Sequence, residues 1–150
     1  MAFNDVYNSI FDKVKTDLKT LSGLADDVTV TPTRERVLTE HGNTGNKTDE
    51  YSAILQIGPI EDLGGVTTQS NLFEFTLILD LSYFGQNHNT SKTALLSMIS
   101  LIYDKFNLTT LGGLVRICKV TTFPEDSPVP NLYTHFSRLL IKCEKTVFKA

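Results

Sequence analysis

Leu72-Phe-Glu-Phe-Thr-Leu-Ile-Leu-Asp-Leu-Ser-Tyr-Phe84 is the stretch that decides the fold. Phe73, Phe75, Leu77, Leu79, Leu81 and Tyr83 place an apolar or aromatic side chain at every odd position. Glu74, Thr76, Asp80 and Ser82 fall between them, and of the even positions up to Ser82 only Leu72 and Ile78 break the rule. Side chains alternate across a strand, so this period of two predicts a β-strand with one dry face. At about 3.3 Å per residue it would span roughly 40 Å, about twice an ordinary strand. One small core covers that length with difficulty, so part of the strand is expected to lie against a neighbour.

On the N-terminal side, Tyr51 to Ile57 reads as another strand, ended by Gly58-Pro59, with a loop from Pro59 to Ser70 leading into the long strand. Before it, His41 to Glu50 holds two glycines, two asparagines and no aliphatic side chain, and is expected to be an exposed loop. Val28 to Thr31 and a run around Val37 and Leu38 read as short strands; the second could pair with Tyr51–Ile57 as a hairpin with a long tip. Asn4 to Leu21 differs: Val6, Tyr7, Ile10, Phe11, Val14, Leu18 and Leu21 recur at spacings of one, three and four, the stripe of an amphipathic helix. Asn4 is placed to cap it and Gly23 to stop it, and Lys13, Lys15 and Lys19 form its wet side.

On the C-terminal side, Thr90 or Ser91 is placed to cap a second helix running to about Phe106. Its apolar set, from Ala94 through Leu95, Leu96, Met98, Ile99, Leu101, Ile102 and Tyr103 to Phe106, is wider than one stripe. The helix is therefore expected to be sandwiched between the sheet and either the first helix or a second subunit. Gly112-Gly113 marks a turn into a strand from Leu114 to Val120, and after the loop Phe123 to Asn131 a last strand runs from Leu132 to about Phe148, antiparallel to it. Strands come in adjacent runs without helices between each pair. This order predicts an α+β fold, a mainly antiparallel sheet with two helices packed on one face, in a single domain.

The size agrees, since 150 residues enclose one core but not two. Hydrophobic residues make up 41% and charged residues 21%, the balance of a folded globular domain. A net charge of -3 removes the usual warrant for gripping nucleic acid along a basic face. No apolar run approaches the roughly 20 residues that cross a bilayer, so no membrane association is expected. The opening Met1-Ala-Phe-Asn-Asp-Val-Tyr7 lacks a basic head and apolar run, so no secretory signal is expected and the mature chain is expected to begin here.

Catalytic and ligand signatures are absent. His41, His88 and His135 are not usefully spaced, and neither cysteine has a partner two to four residues away, so no metal site is expected. Gly64-Gly65 and Gly112-Gly113 lead toward strand-like sequence and Gly42 and Gly45 lack a Lys-Ser/Thr ending, so they read as turn glycines, not phosphate cradles. Glu61-Asp62 and Glu125-Asp126 read as solvated loop residues. Asn46, Asn89 and Asn107 begin glycosylation triplets that match by chance in an Asn/Thr-rich chain. No cofactor is expected, and the chain does not read as an enzyme. Cys118 and Cys143 fall on strands that pair and could face one another; two small buried hydrophobes is the leading reading and a cross-strand disulfide the alternative. The one local basic bias is Arg34, Arg36 and Lys47, balanced by Glu35, Glu40, Asp49 and Glu50. With His41, Asn43 and Asn46, the residues Arg34, Arg36, Lys47 and Asp49 form the candidate partner-contact loop, which several copies in a ring would make multivalent.

The order of elements, an N-terminal amphipathic helix (Val6 to Leu21), a hairpin with a long polar tip (His41 to Glu50), a long alternating strand (Leu72 to Tyr83), a helix (Ser91 to Phe106) and a closing hairpin, resembles the tail terminator and related tail-completion or neck proteins of long-tailed bacteriophages. The similarity is one of size and element order over essentially the whole chain, 1–150, without a motif to quote. The resemblance implies a structural virion protein assembled in the host cytoplasm. It implies a homo-oligomeric ring, a hexamer in that family, which caps the tail tube and joins it to the head connector protein, with DNA passing only loosely through a lumen that has no concentrated basic lining. Another head–tail connector component, a small protein-binding adaptor domain outside any virus, and a small enzyme without recognisable motifs are the alternatives.

Overall fold

A computed structural model of the chain describes residues 3–21, 28–30, 50–84, 88–123 and 134–148. The elements are α1 (Phe3–Leu18), β1 (Val28–Val30), β2 (Glu50–Thr67), β3 (Ser70–Phe84), α2 (His88–Phe106), β4 (Ile117–Phe123) and β5 (Thr134–Phe148). All five strands form one sheet in the order β1-β2-β3-β5-β4. The pairs β2–β3, β3–β5 and β4–β5 are antiparallel, and only the three-residue β1 lies parallel, beside Ala53 to Leu55 of β2. The α+β class with a mainly antiparallel sheet is as the sequence predicts.

The period of two in β3 sets the layers. Phe75, Leu77, Leu79, Leu81 and Tyr83 are buried, in register with Leu139, Ile141 and Cys143 of β5 and with Ala53 and Leu55 of β2. These side chains share one cluster with Val6, Tyr7, Ile10, Phe11, Val14 and Leu18 of α1 and with Leu95, Met98, Ile102 and Phe106 of α2. Both helices therefore cover the odd face of β3. Each fully buried Leu or Phe there contributes about 1.5–3 kcal/mol relative to exposure.

Four differences from the sequence reading each have a physical reason. Strand β2 does not stop at Gly58-Pro59 but continues to Thr67, leaving only Thr68-Gln69 as the turn into β3. The ladder slips between Ile57 and Ile60, so Pro59 lies at a bulge, and β1 covers only Ala53 to Leu55 on the other side. A bulged edge is where a strand tolerates a residue without an N–H. Two more slips, between Asp62 and Gly64 and between Gly65 and Thr67, absorb the glycine pair, with Gly64 at φ 115° and its N–H bonded to Asp62 Oδ1 at 2.8 Å. Glu61-Asp62 is thus strand, not loop.

Strand β4 begins at Ile117, not Leu114, because the left-handed conformations at Leu111, Gly112 and Gly113 extend the turn (φ 52°, 71° and 91°), which Val115 N–H closes on Thr110 C=O at 3.1 Å. Helix α2 begins at His88, so Thr90 and Ser91 lie within its first turn and are not its cap. The fourth difference concerns burial. Strand β3 is flanked by β2 and β5 along its whole length, and its inward side chains from Phe75 to Tyr83 are covered by this chain's own helices. Helix α2 buries one stripe within the chain, while Leu96, Leu101 and Tyr103 beside it are exposed, so the first helix does not cover its outer side. The proposed run around Val37 and Leu38, Gly23, Glu125-Asp126 and the loop from 124 to 131 lie outside the described residues.

Candidate functional site

Arg34, Arg36, His41, Asn43, Asn46, Lys47 and Asp49, the candidate contact loop, all lie outside the described residues. The strands on either side of that segment, β1 and β2, are parallel neighbours; among the described residues the antiparallel partner of β2 is β3, and the run around Val37 and Leu38, expected to form a hairpin with β2, lies outside them.

Among the described residues, the surface features that stand out are apolar. On β2, Ile57, Ile60, Leu63 and Val66 are exposed, and among the described residues the edge they occupy has no strand partner beyond the short β1. Val66, 58% exposed, lies at the same end of the sheet as Phe148, 66% exposed, because Thr67 pairs with Ser70 and Ser70 with Phe148. The second feature is the outer side of α2. Residues seven apart on a helix share a face, so Leu96 and Tyr103 form one shoulder of the buried stripe with Ile99 between them, and Leu101 lies on the other shoulder.

The opposite face of the sheet carries paired charges alongside Ile54, Ile78 and Leu140. Arg138 binds Asp80 through two nitrogens, Nε to Oδ1 at 2.7 Å and Nη2 to Oδ2 at 3.2 Å, and Gln56 Nε2 donates to Asp80 Oδ2 at 2.6 Å. Lys142 lies 3.9 Å from Glu74. Such pairs neutralise charge without freeing a base or nucleophile. No group of three or more His, Cys, Asp or Glu is placed to hold a metal ion among the described residues. No helix there is long and apolar enough to cross a membrane. Asn107 uses its side chain within the fold, accepting the Val120 N–H at 3.1 Å.

Tyr7 carries a buried hydroxyl. Its hydroxyl reaches across the core to the first bulge of β2, accepts the Gly58 N–H at 2.9 Å and donates to the Thr76 carbonyl. Burial pushes its pKa up from 10.0 to about 12, and the Gly58 hydrogen bond opposes this in part. A raised folded pKa favours the native state below the unfolded value and loses that contribution as pH climbs through the folded one. Stability is therefore expected to fall between about pH 10 and 12. Tyr7→Phe should cost about 1–3 kcal/mol near neutral pH by stranding Gly58 N–H and Thr76 C=O, and should abolish this alkaline loss. Urea melts of both proteins from pH 8 to beyond pH 11, as flagged by the raised tyrosine pKa, check it: an unchanged alkaline slope in the variant contradicts the assignment.

No protein-family model matches the chain, and no curated protein matches it. The residues that sequence reasoning missed are those of the β2 edge. They were hidden because Gly58-Pro59 reads as a stop, although Ile60, Leu63 and Val66 recur at a regular spacing of three within the supposed loop.

Proposed function

We propose that this protein is a structural assembly component, a ring-forming virion protein of the tail-terminator kind that caps a tail tube and joins it to the head connector. The observation that carries the reading is apolar surface left on a small domain in two places, along Ile57, Ile60, Leu63 and Val66 of the β2 edge and on the Leu96–Tyr103 shoulder of α2. Contiguous apolar patches of this kind mark contact surfaces. Head-to-tail contact between two different patches closes a ring when the rotation from copy to copy returns to the start. The paired charges of the sheet face opposite the helices and the formal charge of -3 suit a lumen that DNA passes without sticking.

Mass measurement in solution and class averages of particles, each with and without tail tubes, test it. Rings alone or on tubes support the reading; a stable monomer under both conditions overturns it. Replacing His41 to Asp49 by a short Gly-Ser bridge should leave the fold intact, with an unchanged far-ultraviolet spectrum, and weaken attachment to tube or connector at least tenfold. Undiminished attachment would remove His41, Asn43, Asn46, Lys47 and Asp49 from the contact.

A further inference from the structure

Cys118 and Cys143 stand directly opposite one another on β4 and β5, both fully buried and both free thiols. The backbone shows which kind of antiparallel pair they make. Cys118 N–H donates to the Thr109 carbonyl at 2.8 Å, and the Cys118 carbonyl accepts the Leu108 N–H at 2.7 Å. Both polar groups of Cys118 thus point away from β5, so Cys118 and Cys143 are a non-hydrogen-bonded pair. In such pairs the Cα atoms approach to about 4.5 Å, within the roughly 4.4–6.8 Å that a disulfide spans. The side chains take the same direction, with Sγ 2.8 Å from Sγ.

We propose that Cys118 and Cys143 are an exchangeable thiol pair that closes to an intramolecular disulfide on reaction with a small-molecule disulfide of the glutathione type, tethering the edge strand β4 to β5. One cysteine thiolate attacks a sulfur of the small disulfide, forming a mixed disulfide and expelling one thiolate. The second cysteine thiolate attacks the Sγ of the first cysteine in that mixed disulfide, forming the intramolecular S–S bond and expelling the other small thiolate. Two electrons pass from the cysteines to the reagent, and the two protons lost by the cysteine thiols end on the two small thiols released. The Cys118 contact and burial hold the Cys143 thiol protonated, so exchange waits for β4 to part from β5. Strand β4 is the outermost of the sheet, with a strand partner on one side only. Closure is therefore slow in the folded protein and quicker in mild denaturant.

The test is to hold the full chain in glutathione buffers of graded oxidised-to-reduced ratio until its thiol count is constant, then alkylate under denaturing conditions and weigh it. The expected product is monomeric, lighter by two hydrogens, without alkylated cysteine, and with an unfolding constant lowered on the order of 100-fold relative to the reduced chain. Cys118→Ala should leave Cys143 free or carrying one glutathione, with no gain in stability. Two alkylatable thiols at every ratio, glutathione held on both cysteines, a disulfide between two chains, or a disulfide without added stability would each overturn the proposal. The wild-type mass alone decides the matter if the alanine variant does not fold.

Discussion

Phe75→Ala is expected to remove about 3–5 kcal/mol of stability, the range for deleting a buried aromatic ring. The ring is fully buried at the middle of the sheet, opposite Cys143 on one side and Ile60 on the other. Tyr7 meets it edge-on, centroids 5.4 Å apart, and Phe3 lies tilted at 6.3 Å, so the ring is one of the points at which α1 docks on β3, beside the Phe3–Phe73 contact. Aromatic pairs of this geometry add about 0.5–1.5 kcal/mol to the area term. Against a total of about 5–15 kcal/mol for a domain, the loss approaches half. Urea unfolding followed by circular dichroism measures it. A loss under about 1 kcal/mol would mean that α1 is not held through this ring.

Gly58→Ala is expected to cost about 2–4 kcal/mol, from overpacking together with a lost buried hydrogen bond. A Cβ at this position would stand 2.8 Å from the Thr76 carbonyl oxygen and 3.3 Å from Ile78 Cγ1. The first of these is backbone and cannot swing aside, and it is also the acceptor of the Tyr7 hydroxyl. The strand must separate at the bulge, and the tyrosine loses its partner. The two substitutions act on one unit, so Gly58→Ala and Tyr7→Phe together should cost less than their sum by about 0.5–3 kcal/mol. Strict additivity in a double-mutant cycle would show that the glycine and the tyrosine act separately.

Which parts of this architecture the sequence discloses depends on whether one periodicity governs a segment. Each apolar residue of the α1 stripe from Val6 to Leu18 is buried, and the odd positions of β3 from Phe75 to Tyr83 face the core, because each element turns one face to the core and obeys one period. The opposed placement of Cys118 and Cys143 follows from the same alternation in two strands. Legibility fails where local chemistry has two outcomes. Gly58-Pro59 ends a strand in isolation, but at a bulged edge, with Tyr7 satisfying Gly58, the strand continues. Gly112-Gly113 marks a turn, yet its left-handed backbone carries the turn on, and Lys145 Nζ fixes it through the Leu114 carbonyl at 2.6 Å, a contact between residues far apart in sequence. The breadth of the α2 apolar set reads as extra burial, whereas the described chain leaves Leu96, Leu101 and Tyr103 uncovered. Composition alone does not separate a shoulder from a core.

The position of β3 between β2 and β5 governs the order in which a growing chain becomes protein. Ser70 pairs with Thr67 across a two-residue turn, but on its other side with Phe148. During synthesis from the N-terminus, the first partner leaves the ribosome almost together with β3, and the second only after α2 and β4 have followed. Until then the central ribbon carries an open row of amides and carbonyls beside Leu77 and Leu79, with no native strand to receive them. A nascent chain paused before Thr134 is therefore the species most exposed to capture by a chaperone or by its own copies.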